Sequence, residues 1–171
     1  MYLNPISHVF LVKRHENARK NIVLNNYILD IGSSINPITK TAIKLDLKRK
    51  SGIDIQASVL NLPFRPNIFD FIFMLEVIEH IPYPIQSIAL NEINRVMKVQ
   101  SCFIISTPSM FPTWRIIWFF WERLIISEYL HDHVGQLHIQ ELLQLLNKSK
   151  FKVLELRKIM LFDLIVICKK C

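Results

Sequence analysis

Tyr27-Ile28-Leu29-Asp30-Ile31-Gly32 is an apolar strand that closes on Asp-x-Gly, and Ala42-Ile43-Lys44-Leu45-Asp46 is a second strand ending in an acid. A third, Ile53-Asp54-Ile55-Gln56-Ala57-Ser58, leads into Asn61-Leu62-Pro63-Phe64. Phe69-Asp70-Phe71-Ile72-Phe73-Met74 then runs into Glu76-Val77-Ile78-Glu79-His80. Short apolar runs bounded by turn residues read as strands, and the continuous run at 69–74 suits a central parallel strand buried on both faces. Acids and turns at successive strand ends fall in the order that a nucleoside-binding α/β sheet needs.

The same pattern continues outward. Pro84 opens a helix with apolar positions at Ile85, Ile88, Ala89, Ile93, Val96 and Met97, ending near Lys98; proline suits a first turn. Cys102–Ser106 reads as the next buried strand, stopped by Thr107-Pro108. Beyond a segment dense in aromatics lies a second helix at about 139–147, then strands at 151–156 and 160–168. With only Arg157-Lys158-Ile159 between them, these two strands read as a hairpin, which puts antiparallel pairing on an otherwise parallel sheet. Residues 1–26, with Val9, Phe10 and Val12 before Lys13-Arg14-His15, read as an N-terminal covering segment.

The chain has 171 residues, 51% hydrophobic and 20% charged. Those values exclude a disordered chain and fit one domain over 1–171. No run reaches the roughly 18 uninterrupted apolar residues of a membrane span, and Met1–Phe10 lacks the basic start and apolar stretch of a secretion signal. A cytoplasmic protein is the expectation. Cys102, Cys168 and Cys171 are odd in number and lack metal-ligand spacing, so reduced thiols are expected. The formal charge of +7 is diffuse, densest at Lys44, Lys48, Arg49 and Lys50 and again at 148–157. It suits an anionic partner, although a solvated lysine-rich surface explains it more simply.

Spacing decides between nucleoside ligands. A dinucleotide fold sets its pyrophosphate on a helix N-terminus, so a full helix must follow the first strand. Here only Ile35-Asn36-Pro37-Ile38-Thr39-Lys40 separates Ser34 from Thr41. Six extended residues reach about 20 Å, enough to retrace one short strand and no more. The crossover helix is missing or reduced to a turn, and a site without it has lost its best phosphate cradle.

The ordered set, with its LPF…FD…EH signature at Leu62-Pro63-Phe64, Phe69-Asp70 and Glu79-His80, resembles the class I S-adenosylmethionine-dependent methyltransferases, in particular the small-molecule, type 11-like branch. The resemblance covers about residues 27–108 and implies a Rossmann-like α/β fold. That fold is a mostly parallel sheet with an antiparallel final strand, in a three-layer sandwich whose layer is reduced near the first crossover. It implies S-adenosylmethionine as cofactor, which has no phosphate to hold. By resemblance Asp30 sits beneath the methionine end, and the backbone of Gly32, Ser33 and Ser34 forms the turn that lets the cofactor approach. Asp46, with Leu47 after it, would accept both ribose hydroxyls. Ser58, Val59 and Leu60 would flank the adenine, and Met74 and Leu75 would pass under the methionine moiety.

Departures from the family pattern are visible. Ser34 and Asn36 stand where two further glycines are usual, Ser58 replaces an acid, and Val99-Gln100-Ser101 replaces a Pro-Gly-Gly turn. Methyl transfer from a sulfonium is an in-line displacement in which alignment supplies much of the acceleration. A base is needed only for a protonated acceptor. Glu76, Glu79 and His80 lie at i, i+3 and i+4 and would share one face of a helix. Three readings stay open for them: His80, with Glu79, as a catalytic base; a divalent-ion site; or simple capping of the strand-to-helix loop.

His131-Asp132-His133 with His138 has a zinc-like spacing without a fourth close ligand; by resemblance this loop borders the acceptor pocket, within an acceptor-side insertion at 108–138. The aromatic segment 111–121 is read as pocket, lid, core or dimer contact ahead of a membrane-surface helix. The sheet face left bare by the missing helix must be covered by residues 1–20 or by a second subunit in a homodimer. The leading function is methyl transfer to a small or lipid-like acceptor. Two alternatives remain: a nucleic-acid methyltransferase, prompted by the charge but not favoured, and a non-catalytic partner or scaffold with the same fold.

Overall fold

The computed structural model describes residues 16, 18, 26–33, 37–108, 134, 135, 137–159 and 163–171. Strands β1 (Ile28–Ile31), β2 (Ile43–Asp46), β3 (Ile55–Gln56) and β4 (Phe69–Leu75) precede helix α1 (Gln86–Val96) and strand β5 (Met97–Pro108). Helix α2 (Ile139–Lys148) and strands β6 (Phe151–Ile159) and β7 (Asp163–Lys170) follow. They form one sheet in the order β3-β2-β1-β4-β5-β7-β6. The pairings β1–β2, β1–β4, β2–β3 and β4–β5 are parallel. Strand β7 slots antiparallel between β5 and β6.

Side chains alternate across a strand, so each central strand feeds two cores. On β4, Ile72 and Met74 join one apolar cluster, which also holds Ala89, Leu90, Ile93 and Val96 of α1 and Leu142 and Leu146 of α2. Phe71, Phe73 and Leu75 face the other cluster, with Ile28, Ile104, Ile165 and Ile167. β1 is buried along its whole length, as expected for the strand between β2 and β4.

The second face carries the economy foreseen in the sequence. Among the described residues 37–42 none is helical. Ile38, fully buried, plugs this face beside Ala42, and its N–H donates to Asp30 Oδ2 at 2.7 Å. The β2–β3 connection is equally short and non-helical, a second omission that the sequence reading did not identify. There Asp54 latches the loop: its Oδ2 accepts the Lys44 N–H at 2.9 Å and its Oδ1 lies 3.2 Å from Lys44 Nζ. Ala18 is helical and fully buried in the second cluster. Ser34, Asn36 and the aromatic segment 111–121 lie outside the described residues.

One helix face and two strand boundaries differ from the sequence expectation. α1 buries Gln86, Ala89, Leu90, Ile93 and Val96, whereas Ile88 is 47% exposed; it stands one residue, about 100°, off a stripe that Leu90 completes. β5 begins at Met97 rather than Cys102, because Val99-Gln100-Ser101 continues the strand with Gln100 at φ +67°. Arg157-Lys158-Ile159 belong to β6, paired with Ile165, Leu164 and Asp163. No described helix is long and apolar enough to cross a membrane.

Candidate functional site

Strand order reverses direction between β1 and β4, and in such sheets ligands bind beyond the carboxyl ends of the strands at that point. Of the described residues singled out above, Gly32, Asp46 and Leu75 lie at the ends of β1, β2 and β4 there. Gly32 leaves β1 at φ +74°, in the left-handed region that favours glycine. Its N–H donates to Leu45 O at 2.7 Å. A Cβ on Gly32 would press into Val77 Cγ2, well inside 3.0 Å, so the turn can pack against the post-β4 loop only without a side chain. Ser33 follows, 7% exposed, and its buried Oγ meets no hydrogen-bond partner. An unmet buried hydroxyl costs about 1–3 kcal/mol.

One strand over, Asp46 ends β2 half-buried. Its Oδ1 accepts the Lys48 N–H at 2.9 Å, and its carbonyl accepts the Ala57 N–H at 3.1 Å. Leu47 beside it is 66% exposed, and its carbonyl is held by Gln56 Nε2 at 3.2 Å. Ser58 Oγ accepts the Leu60 N–H at 3.2 Å, which closes a tight turn. Val59 is buried and Leu60 half-buried against the first core. Met74 is fully buried and Leu75 half-buried.

The Glu76, Glu79 and His80 trio does not share a helical face. Only Ile78–His80 is helical, as a single 3₁₀ turn. Glu76 precedes it at φ +56°, its Oε1 accepting the Ser106 hydroxyl at 2.8 Å and its N–H donating to Ser106 O at 3.1 Å. Glu79 is 1% exposed, while His80 is exposed. Tight 3₁₀ winding after a left-handed residue turns the three side chains apart. Among the described residues no group of acidic, histidine or cysteine side chains could hold a metal ion. His138 caps the start of α2, its N–H donating to Glu141 Oε2 at 2.7 Å; His131, Asp132 and His133 lie outside the described residues.

Several supporting residues escaped the sequence reading. Glu92 Oε2 accepts the Leu62 N–H at 2.8 Å, and Arg95 donates to Leu62 O at 2.9 Å and Phe64 O at 2.8 Å. The two side chains, joined at 2.7 Å, pin the Leu-Pro-Phe turn to α1. The Arg95 hydrogen bond holds the Glu92 carboxyl below its ordinary range, against burial that pushes it up. Ser106 and Gln86 are both fully buried; a glutamine on the apolar stripe of α1 was the available signal. Two surface cavities, of about 390 and 230 Å³, open at the opposite end of the sheet, around Lys150–Val153 and around Lys98–Cys102. Neither touches the strand-end residues.

Residues 28–105 match the family model of a methyltransferase domain. An uncharacterised protein of Methanocaldococcus jannaschii is 31% identical over 105 residues, 56% of this chain and 44% of that protein; the match therefore spans less than half of the relative's length. Among solved structures, a protein from Pyrococcus horikoshii superposes with a TM-score of 0.73 at 13% identity, covering 98% of this chain and 92% of that one. A SAM-dependent methyltransferase from Thermotoga maritima gives 0.70 at 19% identity, covering 97% and 95%. The 1,6-didemethyltoxoflavin-N1-methyltransferase of Burkholderia thailandensis gives 0.65 at 12% identity, covering 99% and 92%. At these identities the structures speak for the fold, and the family model speaks for the segment that builds the strand-end site. Residues 28–105 are thus similar to a methyltransferase domain, and the sheet as a whole has the Rossmann-like class I fold of these structures.

Proposed function

We propose that this chain is an S-adenosylmethionine-dependent methyltransferase acting on a small or lipid-like acceptor. The observation that carries the reading is the pair Asp46–Leu47 at the end of β2: a half-buried carboxylate followed by an apolar side chain 66% exposed. A ribose with its base asks for that combination, a charged acceptor for two hydroxyls and an apolar surface for the ring. The buried, unpartnered Ser33 hydroxyl fits a ligand as well, because a polar group of the cofactor at the Gly32 turn would supply its missing partner. When bound, the cofactor supplies an electrophilic methyl group on a sulfonium.

The chain's own residues then bind and orient. Gly32 lets the backbone approach; Ser34 is proposed to extend that turn. Asp30 is committed to the Ile38 amide, so its role is to fix the short crossover beneath the cofactor. Ser58, Val59 and Leu60 would border the adenine, and Met74 and Leu75 would form the floor. His80, exposed on the 3₁₀ turn that follows β4, is the proposed base, with the buried Glu79 next to it in sequence. A small-molecule acceptor draws support from the Burkholderia neighbour, whose structure holds 1,6-didemethyltoxoflavin and S-adenosylhomocysteine.

Incubating the protein with S-adenosyl-[methyl-³H]methionine and fractionated cell extract tests the reading. Label is expected in the small-molecule or lipid fraction. Label confined to nucleic acid would replace the acceptor assignment, and no label in any fraction would favour a non-catalytic role.

A further inference from the structure

We propose that Gln86 is a positioning residue for the acceptor side of this site, stapling the backbone at Gly135 to the turn that carries Glu79 and His80. The inference rests on the methyl-transfer reading above and goes beyond it, since Gln86 lies on α1 outside the strand-end cluster.

Gln86 is fully buried on the first helical residue of α1. Its Nε2 donates to three carbonyls: Ile78 O at 3.1 Å, Ile81 O at 2.9 Å and Gly135 O at 2.6 Å. Two hydrogens serve three acceptors, so one is shared. Turning the amide over would set its oxygen against three carbonyl oxygens, so chemistry fixes the orientation. Oε1, on the other side, is buried and without a partner. The side chain is thus arranged entirely for the donors it offers.

The two segments it joins are distant in sequence, 49 residues apart between Gln86 and Gly135. They also touch directly, the Gly135 N–H donating to Glu79 O at 2.8 Å. Gly135 must be glycine: a Cβ would fall on Ile81 O and crowd Gln86 Nε2, both well inside 3.0 Å. The backbone of the Glu79–His80 turn is therefore tied to α1 through Gln86 and to Gly135 through the Glu79 carbonyl. Ser33, Asp46 and Leu60 make no hydrogen bond to this staple, whereas the Gly32 turn meets the same loop at Val77.

The experiment compares the full chain with Gln86→Met, which keeps the shape and removes the donors. Three readings are taken: amide hydrogen exchange, the His80 Cε1–H NMR signal, and calorimetric affinity for S-adenosylhomocysteine. Exchange at Gly135 is expected to speed up by about tenfold or more while Ile72–Met74 amides on β4 stay protected. The His80 signal moves, and affinity stays within about twofold, because Gln86 donates to Ile78, Ile81 and Gly135 and to none of the strand-end residues. Gly135→Ala, which forces the same contact open from the other side, must reproduce the pattern. An unmoved His80 signal in both variants overturns the proposal, and so does parallel loss of β4 protection and cofactor affinity, which would make Gln86 an ordinary core residue. A parent protein that fails to bind S-adenosylhomocysteine overturns the methyl-transfer reading instead, with the Gly135 exchange still reporting whether the staple exists.

Discussion

Replacing Gly32 by alanine separates two costs that the structure puts at one position. The first is conformational. Gly32 lies at φ +74°, and an L-residue held there costs about 1–2 kcal/mol. The second is steric, because the new Cβ meets Val77 Cγ2 well inside 3.0 Å. Val77 is packed against the first core, so it can yield only by displacing its neighbours. Overpacking of this kind costs about 1–3 kcal/mol. Together the destabilisation is roughly 2–5 kcal/mol, which for a chain this long lowers Tm by about 2–4 °C per kcal/mol. Thermal unfolding followed by circular dichroism reads the total. A Val77→Ala change in the Gly32→Ala background should recover the steric share and leave the conformational one, so the double mutant is more stable than additivity predicts. If Gly32→Ala shifted stability by less than about 0.5 kcal/mol, the ordinary range for a surface substitution, the account of this turn would be wrong.

Gln100 occupies the left-handed region at φ +67° within β5, so Gln100→Gly should raise stability by about 0.5–1 kcal/mol, read as a Tm gain of a few degrees. Glu92 titrates below its reference of 4.5 because Arg95 hydrogen-bonds it. A carboxyl depressed in the folded state lends stability that is present above the unfolded value and lost as pH falls through the folded one; Glu92→Gln should therefore flatten the acid side of a urea-midpoint-versus-pH curve. Burial pushes the Cys102 thiol up to about 11 and the Cys168 thiol up to about 12, whereas Cys171 is exposed. Ellman's reagent at pH 8 should label one thiol quickly and the other two only after unfolding, and three fast thiols would contradict the burial.

What the sequence made legible follows from where the information is local. The run Phe71–Met74 is apolar on both faces, as a central parallel strand needs; β4 pairs with β1 and β5 on its two sides. The count of residues between Ser34 and Thr41 forbids a long crossover helix whatever the tertiary context. A common face for Glu76, Glu79 and His80 required a helix through all three, whereas a left-handed Glu76 and a 3₁₀ turn at Ile78–His80 stand there instead. Gln86 was hidden for a different reason. Its partners Ile78, Ile81 and Gly135 offer only backbone carbonyls, and a carbonyl leaves no mark in the residue type. Arg95 escaped in the same way, through the carbonyls of Leu62 and Phe64.

The central claim is that the strand-end site binds the methyl donor through Asp46. Isothermal titration of the full chain with S-adenosylmethionine, alongside NAD and an Asp46→Ala variant, tests it most directly. The account predicts saturable binding of S-adenosylmethionine, none of NAD, and at least about tenfold weaker binding by Asp46→Ala, the loss of roughly 1.4 kcal/mol or more from charge-assisted hydrogen bonds. Absence of S-adenosylmethionine binding at about 1 mM, an affinity weaker than roughly −4 kcal/mol, or unchanged binding by Asp46→Ala, would contradict it.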